Sequence, residues 1–262
     1  MRIYSHLRTA TILLLFHIIY KATEKSSRVQ GAPISARIVG GAATTIDKAK
    51  FLVYLRLNGK FICGGSLVSA QHVVTAAHCI DGVSPAKLVV VGGATRLSET
   101  GVRRGVTKII KPTNYNKPNP YHMDVAVLKL ASDMKGNNIA TIPLCKANWK
   151  IGDYIDLYGW GQLAENNRQS VDQMRHVRVP LVLRSKCLQA YRNRETITSS
   201  MFCAGDLKGK DSCYGDSGGP AVFQNELCGV VSWGLRCASQ VYPGVYTSIK
   251  SVRDFIDRAM KL

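Results

Sequence analysis

The chain has 262 residues, 46% hydrophobic and 20% charged, with 23 glycines, a balance that suits a folded globular protein and excludes collagen, coiled-coil and disordered classes. That length allows one large domain or two small ones around a substantial core. The net charge is +18, which favours contact with acidic surfaces, but no nucleic-acid-binding motif is present and a solvated basic surface is expected.

In chain order, Arg2 and Arg8 precede the apolar run Thr11–Tyr20, which is shorter than the roughly 20 residues of a membrane-spanning helix. This pattern predicts a signal peptide over residues 1–22 and a secreted, extracellular protein with no stable membrane span. Residues 23–37 are polar and lack apolar periodicity and cysteine, as expected of a protease-accessible pro-segment. Removing the first 37 residues leaves 29 basic against 16 acidic residues, or +13, so the charge belongs mainly to the folded body.

From Ile38 the pattern changes to short β-branched or aromatic runs between Gly, Asn and Pro turns. Strands are predicted at Phe51–Leu57, Gly65–Val68, Lys87–Val91, Thr107–Ile110 and Val125–Leu130. They continue at Ile155–Tyr158, Met174–Val182, Ala221–Phe223, Gly229–Trp233 and Gly244–Thr247. Such spacing points to an all-β sandwich or barrel. One helix is predicted over Ser251–Leu262, with Val252, Phe255, Ile256 and Met260 on one face and Ser251 with Asp254 as its start signal.

Eight cysteines behind a signal peptide predict disulfides, and none has the spacing of a zinc knuckle. Eight cysteines alone allow about 105 pairings. Three segments carry candidate chemistry. Gly215-Asp216-Ser217-Gly218-Gly219-Pro220 places a serine in a tight turn, where the amides of Gly215 and Ser217 can point at one oxygen. Thr75-Ala76-Ala77-His78-Cys79 offers a base, although a lone histidine among apolar residues is usually structural. Asp124 opens an apolar strand run, where it either caps a turn or pairs with a histidine.

Together these segments resemble the chymotrypsin-like serine peptidases, and within them the trypsin family. The resemblance runs from about Arg37 to the C-terminus. It includes Arg37-Ile38-Val39-Gly40-Gly41, the His78 box, the Asp124 strand, Gly159-Trp160-Gly161, the Ser217 box, Ser232-Trp233-Gly234 and Pro243-Gly244-Val245-Tyr246. It implies two antiparallel six-stranded β-barrels over residues 38–262, with a C-terminal helix and the active site between them. By that likeness Ser217 is the nucleophile, His78 the base and Asp124 its orienting acid, with an oxyanion hole from Gly215 and Ser217. Ser232 hydrogen-bonds Asp124 and offers its backbone to substrate.

The resemblance also places Asp211 on the floor of the primary pocket, lined by Ser212 and Tyr246 and kept open by Gly234 and Gly244. This implies cleavage after Arg or Lys, since an apolar side chain would leave the acid unpaired. Arg37 marks the activation junction, where cleavage frees the Ile38 amine to pair with Asp216. The activator is the enzyme itself or a trypsin-like protease. Arg236 stands where the family usually has glycine, at the pocket rim. It either points into solvent or tunes outer subsites toward acidic residues.

Three disulfides are implied by resemblance: Cys63–Cys79, Cys187–Cys203 and Cys213–Cys237. Cys145 and Cys228 are left over, either paired with each other or as two thiols. A further bond common in vertebrate members is absent, its positions held by Ile155 and Phe223, as in insect trypsins. The loop Gly92–Val106, which binds calcium in some members, holds a single acid, Glu99, so no calcium is expected. No cofactor, other metal or nucleic acid is expected, and there is no N-glycosylation sequon. Expected partners are protein or peptide substrates with Arg or Lys at the cleaved bond, and inhibitors such as serpins, acting on a monomer. Two other classes remain open: a catalytically inactive relative acting as a scaffold, and a polyanion-binding protein.

Overall fold

The computed structural model describes residues 41–162, 170–206, 213–237 and 239–262. The predicted signal peptide and pro-segment, Arg37, Ile38, Asp211 and Ser212 lie outside these residues.

The fold is two closed antiparallel barrels of six strands each. The first contains β2 (Leu52–Leu57), β3 (Lys60–Ser69), β4 (His72–Thr75), β5 (Leu88–Gly92), β6 (Val102–Ile110) and β7 (Ala126–Leu130), in the closed order β2-β3-β4-β7-β6-β5. The second contains β8 (Tyr154–Gly159), β9 (Arg175–Val182), β10 (Met201–Ala204), β11 (Pro220–Phe223), β12 (Glu226–Trp233) and β13 (Gly244–Ser248). Its ring runs β9-β10-β13-β12-β11 and closes through β8 back to β9. A two-residue strand β1 (Ala42–Ala43) pairs with β9 through Ala42 and His176. Closure removes the unpaired sheet edges that would otherwise invite association.

Alternation in the sequence sets the inward faces. In β9 Val177, Val179 and Leu181 are buried while Arg178 is exposed, so successive side chains point to opposite sides. β2 breaks this rule because both its faces are covered. Val53 and Leu55 join Leu67, Val73, Leu88 and Leu128 inside the first barrel. Leu52 and Tyr54 pack outside it with Trp160, which directly follows β8, and Met174, which directly precedes β9. Trp160 is fully buried, meets Tyr54 edge to face at 5.1 Å and donates its indole N–H to Thr95 O at 3.0 Å. Each such apolar side chain contributes about 1.5–3 kcal/mol, and this cluster joins the barrels.

Among the described residues two α-helices accompany the strands: α1 (Arg184–Tyr191) and α2 (Ile249–Ala259). α2 buries Ile249, Val252, Ile256 and Ala259, close to the predicted face. It starts earlier than its sequence suggests. Ser248, not Ser251, is the cap, and its Oγ accepts from Ser251 N. The ten predicted strands are all present. β1, β4, β10 and α1 add to them, being short or lacking a periodic apolar face. Cysteine pairs close as Cys63–Cys79, Cys145–Cys228, Cys187–Cys203 and Cys213–Cys237. Cys145–Cys228 ties the inter-barrel connector to β12. No helix among the described residues is long and apolar enough to cross a membrane.

Candidate active site

The barrels meet at the candidate chemistry. His78 sits in a single 3-10 turn, Ala77–Ile80, directly after β4. The neighbouring Cys79 is bonded to Cys63 on β3, which fixes this turn to the barrel wall. Asp124 lies two residues before β7 and is fully buried. Its Oδ2 lies 2.8 Å from His78 Nδ1, and its Oδ1 accepts from His78 N at 2.9 Å. An ionised carboxylate only accepts, so Nδ1 is the donor and the lone pair is on Nε2, which lies 3.7 Å from Cys79 Sγ.

The second barrel completes the environment of Asp124. Ser232 on β12 donates its hydroxyl to Asp124 Oδ2, and Thr247 on β13 donates to the Asp124 carbonyl at 2.8 Å. The role of Thr247 was not read from the sequence, although it follows the Pro243–Tyr246 motif directly. Burial of this acid is therefore matched by donors from both barrels, as burying a charge requires.

Ser217 stands in the turn before β11. Its carbonyl accepts from Gly64 N at 2.8 Å, a backbone bond from β3 across the barrel junction. Gly218 is required there twice over. Its φ is +77°, and a Cβ would stand 2.2 Å from Thr75 Oγ1 and 2.5 Å from Gly64 O. Gly215 has φ +93°. Among the described residues no acceptor engages the backbone N–H of Gly215 or of Ser217. Both donors thus flank the serine unspent. Ser217 and His78 line one cleft of about 200 Å³ with Tyr121, Trp233, Gly234, Arg236 and Gly244. No hydrogen bond joins Ser217 to His78 here; such bonds are often long before substrate binds.

Asp216 points away from the cleft into the protein. Its Oδ1 accepts from Gly161 N at 2.9 Å and its Oδ2 from Cys213 N at 3.0 Å. A Cβ on Gly161 would lie 2.4 Å from Asp216 Cγ, so the Gly159-Trp160-Gly161 motif makes room for this carboxylate. Burial pushes its pKa up to about 6, against the opposing pull of the Cys213 and Gly161 N–H groups. No cation pairs with it among the described residues.

Of the residues expected in the primary pocket, Ser232, Gly234 and Gly244 line the cleft, while Asp211 and Ser212 lie outside the described residues. Tyr246 is fully buried on β13 and stacks on Phe202 at 5.2 Å. Tyr121 is a wall residue the sequence did not reveal. It adopts φ +57°, meets His78 edge to face at 5.9 Å and stacks on Trp233 at 5.7 Å. Among the described residues two clusters contain atoms of metal-ligating type, Cys63–His78–Cys79 and Cys145–Glu226–Cys228. Their cysteines are already bonded to one another, so neither offers a thiolate. In the Gly92–Val106 loop, Glu99 accepts from Thr95 N at 2.8 Å.

A serine, a histidine held by a buried acid, and two unspent amides at the junction of paired six-stranded barrels define the chymotrypsin-like class of serine peptidase. Comparison with known proteins agrees with that class. The family model described as Trypsin matches residues 38–256. Seminase of Drosophila melanogaster is 42% identical over 227 residues, covering 86% of this chain and 82% of that protein. Trypsin beta of Drosophila erecta is 38% identical over 225 residues, covering 85% and 88%. Vitellin-degrading protease of Bombyx mori is 35% identical over 253 residues, covering 95% and 94%. The chain belongs to the trypsin family, in its insect branch, and is a serine endopeptidase acting on protein substrates.

Proposed function

We propose that this endopeptidase is secreted as an inactive precursor, is activated by cleavage after Arg37, and cuts peptide bonds after Arg or Lys. The observation that carries the catalytic part is the buried Asp124–His78 hydrogen bond, with His78 and Ser217 on one cleft. Ser217 Oγ attacks the scissile carbonyl while His78 Nε2 takes its proton. The oxyanion forms beside the N–H groups of Gly215 and Ser217, which are worth most in such a preorganised setting. Collapse expels the amine, which receives the proton from His78 and leaves an acyl-enzyme on Ser217. Water, deprotonated by His78, then releases the acid. Asp124 holds the imidazole tautomer and balances its charge throughout.

Cationic specificity rests on Asp211, six residues before Ser217 in a sequence of trypsin type. Activation rests on Asp216. A carboxylate buried without a cation is unfavourable, and the Ile38 ammonium released by cleavage supplies one. Secretion rests on the basic start and apolar run of residues 1–22. The activator is a trypsin-like protease or the enzyme itself, and serpin-type inhibitors and a monomeric state fit the same reading.

The test is direct. After trypsin treatment, the protein is expected to hydrolyse arginyl and lysyl esters and to take up an organophosphonate on Ser217. Ser217→Ala removes both, and Asp211→Ser removes the cationic preference. Processed, folded protein that leaves these esters untouched would refute the proposal. Heparin retention that survives Ser217→Ala would show polyanion binding as a separate property.

A further inference from the structure

The described residues lining the cleft include one permanently charged side chain, Arg236. It is exposed and has no ion-pair partner or side-chain hydrogen bond among the described residues. The backbone that carries it is nonetheless anchored. The segment from Trp233 to Cys237 is held at one end by β12 and at the other by the Cys213–Cys237 disulfide. Charged groups that serve the fold are usually paired or solvated away from clefts; this one is tethered at the rim of the site with its guanidinium unspent.

The backbone next to it is an open edge. β12 ends at Trp233, and among the described residues no backbone hydrogen bond engages Gly234, which is exposed. An extended peptide adds to such an edge through main-chain hydrogen bonds, and side-chain selection then falls to whatever flanks it. Ser217, Ser232, Gly234 and Arg236 line the same cleft, so a peptide added to this edge with its scissile carbonyl at Ser217 comes within reach of Arg236. The opposite wall, Tyr121 stacked on Trp233, carries no charge to compete. A guanidinium forks onto a carboxylate with two N–H bonds, a geometry that a solvated lysine does not offer.

Resting on the trypsin-type reading above, we propose that Arg236 selects substrates with an acidic side chain within the few residues N-terminal to the cleaved bond, and that this makes the enzyme a poor activator of its own precursor. The second part follows from the sequence. The residues before Arg37 are Gly31-Ala32-Pro33-Ile34-Ser35-Ala36, and the nearest upstream acid is Glu24. Its own junction therefore lacks the group that Arg236 selects, and the enzyme cuts it about fivefold more slowly than a junction that carries an acid.

The experiment uses the trypsin-activated enzyme and quenched-fluorescent arginyl peptides. Glu, Ala or Lys is placed in turn at the second, third and fourth residue before the cleaved bond. The readout is the ratio of kcat/KM for Glu over Ala within each enzyme, which a change in overall activity does not move. An exposed ion pair predicts a ratio of about fivefold at its best position, falling as salt is raised. Arg236→Gly brings the ratio to one, and Arg236→Glu transfers the preference to Lys. In a second arm the Ser217→Ala precursor is the substrate, and Ser35→Glu within it speeds cleavage after Arg37 by the active enzyme about fivefold. A ratio of one in the unmodified enzyme, a preference retained in Arg236→Gly, or equal cleavage of the two precursors overturns the inference. Failure to cut any arginyl peptide, Ala peptides included, would instead sink the peptidase specificity on which it rests.

Discussion

Replacing Asp216 by Asn in a precursor that cannot be activated gives a quantitative test of the buried-carboxylate argument. Asp216 is 4% exposed, receives two backbone N–H bonds and has a pKa pushed up to about 6 from the ordinary 3.8. A folded-state pKa above the unfolded one means that the folded chain keeps a proton the unfolded chain has released. The contribution is therefore least unfavourable below about pH 3.8 and worsens as pH rises through 6. The whole effect is about 3 kcal/mol, at about 1.4 kcal/mol for each pH unit between the two values, and most of it falls between pH 4 and 7. Asn carries no charge and has no such slope, although its amide nitrogen must face an N–H donor and lowers the baseline by about 1–3 kcal/mol. Both proteins carry Arg37→Gln to block activation, and urea unfolding followed by tryptophan fluorescence is measured at steps of pH. The stability of Asp216→Asn relative to Asp216 is expected to rise by about 2–3 kcal/mol between pH 4 and 7. A flat difference, or one of opposite sign, would refute the claim that this carboxylate waits for a cation.

Three further outcomes are expected. Removing Cys145–Cys228 by double alanine substitution, which opens a separation of 83 residues, destabilises the fold by about 4–5 kcal/mol in the chain-entropy picture. The 16-residue separation of Cys63–Cys79 gives about 3 kcal/mol, so the two melting-temperature drops should rank in that order. Ser232→Ala takes one donor from the fully buried Asp124, at about 1–3 kcal/mol, and lowers kcat/KM roughly 10- to 100-fold on an arginyl ester. Gly161→Ala drives a methyl into the Asp216 carboxylate, and the overpacked protein should melt lower by about 1–3 kcal/mol and activate poorly after Arg37 cleavage.

Much of this protein is legible in its sequence because the informative features are local. Alternation in residues such as Val177–Leu181 identifies a strand with one covered face, and the glycines around Ser217 mark a turn too tight for side chains. Periodic apolar residues announce α2, while its cap needs the structure: Ser248, three residues before the Ser251 start the sequence suggests, accepts from Ser251 N. β4, β10 and α1 escape because four-residue strands and a polar eight-residue helix carry too little periodicity; their hydrogen-bond partners and the Cys187–Cys203 bond define them.

The amino-acid order by itself determined the strand-forming runs, the serine, histidine and aspartate boxes and the cysteine inventory, since each depends on neighbours a few positions apart. Tertiary structure alone decided that Thr247 holds the Asp124 carbonyl, that Tyr121 walls the cleft, and that Cys145 reaches Cys228. Those contacts join residues tens to more than a hundred positions apart. They exist because closing two barrels against each other brings distant turns to one junction, where buried polar groups must find partners.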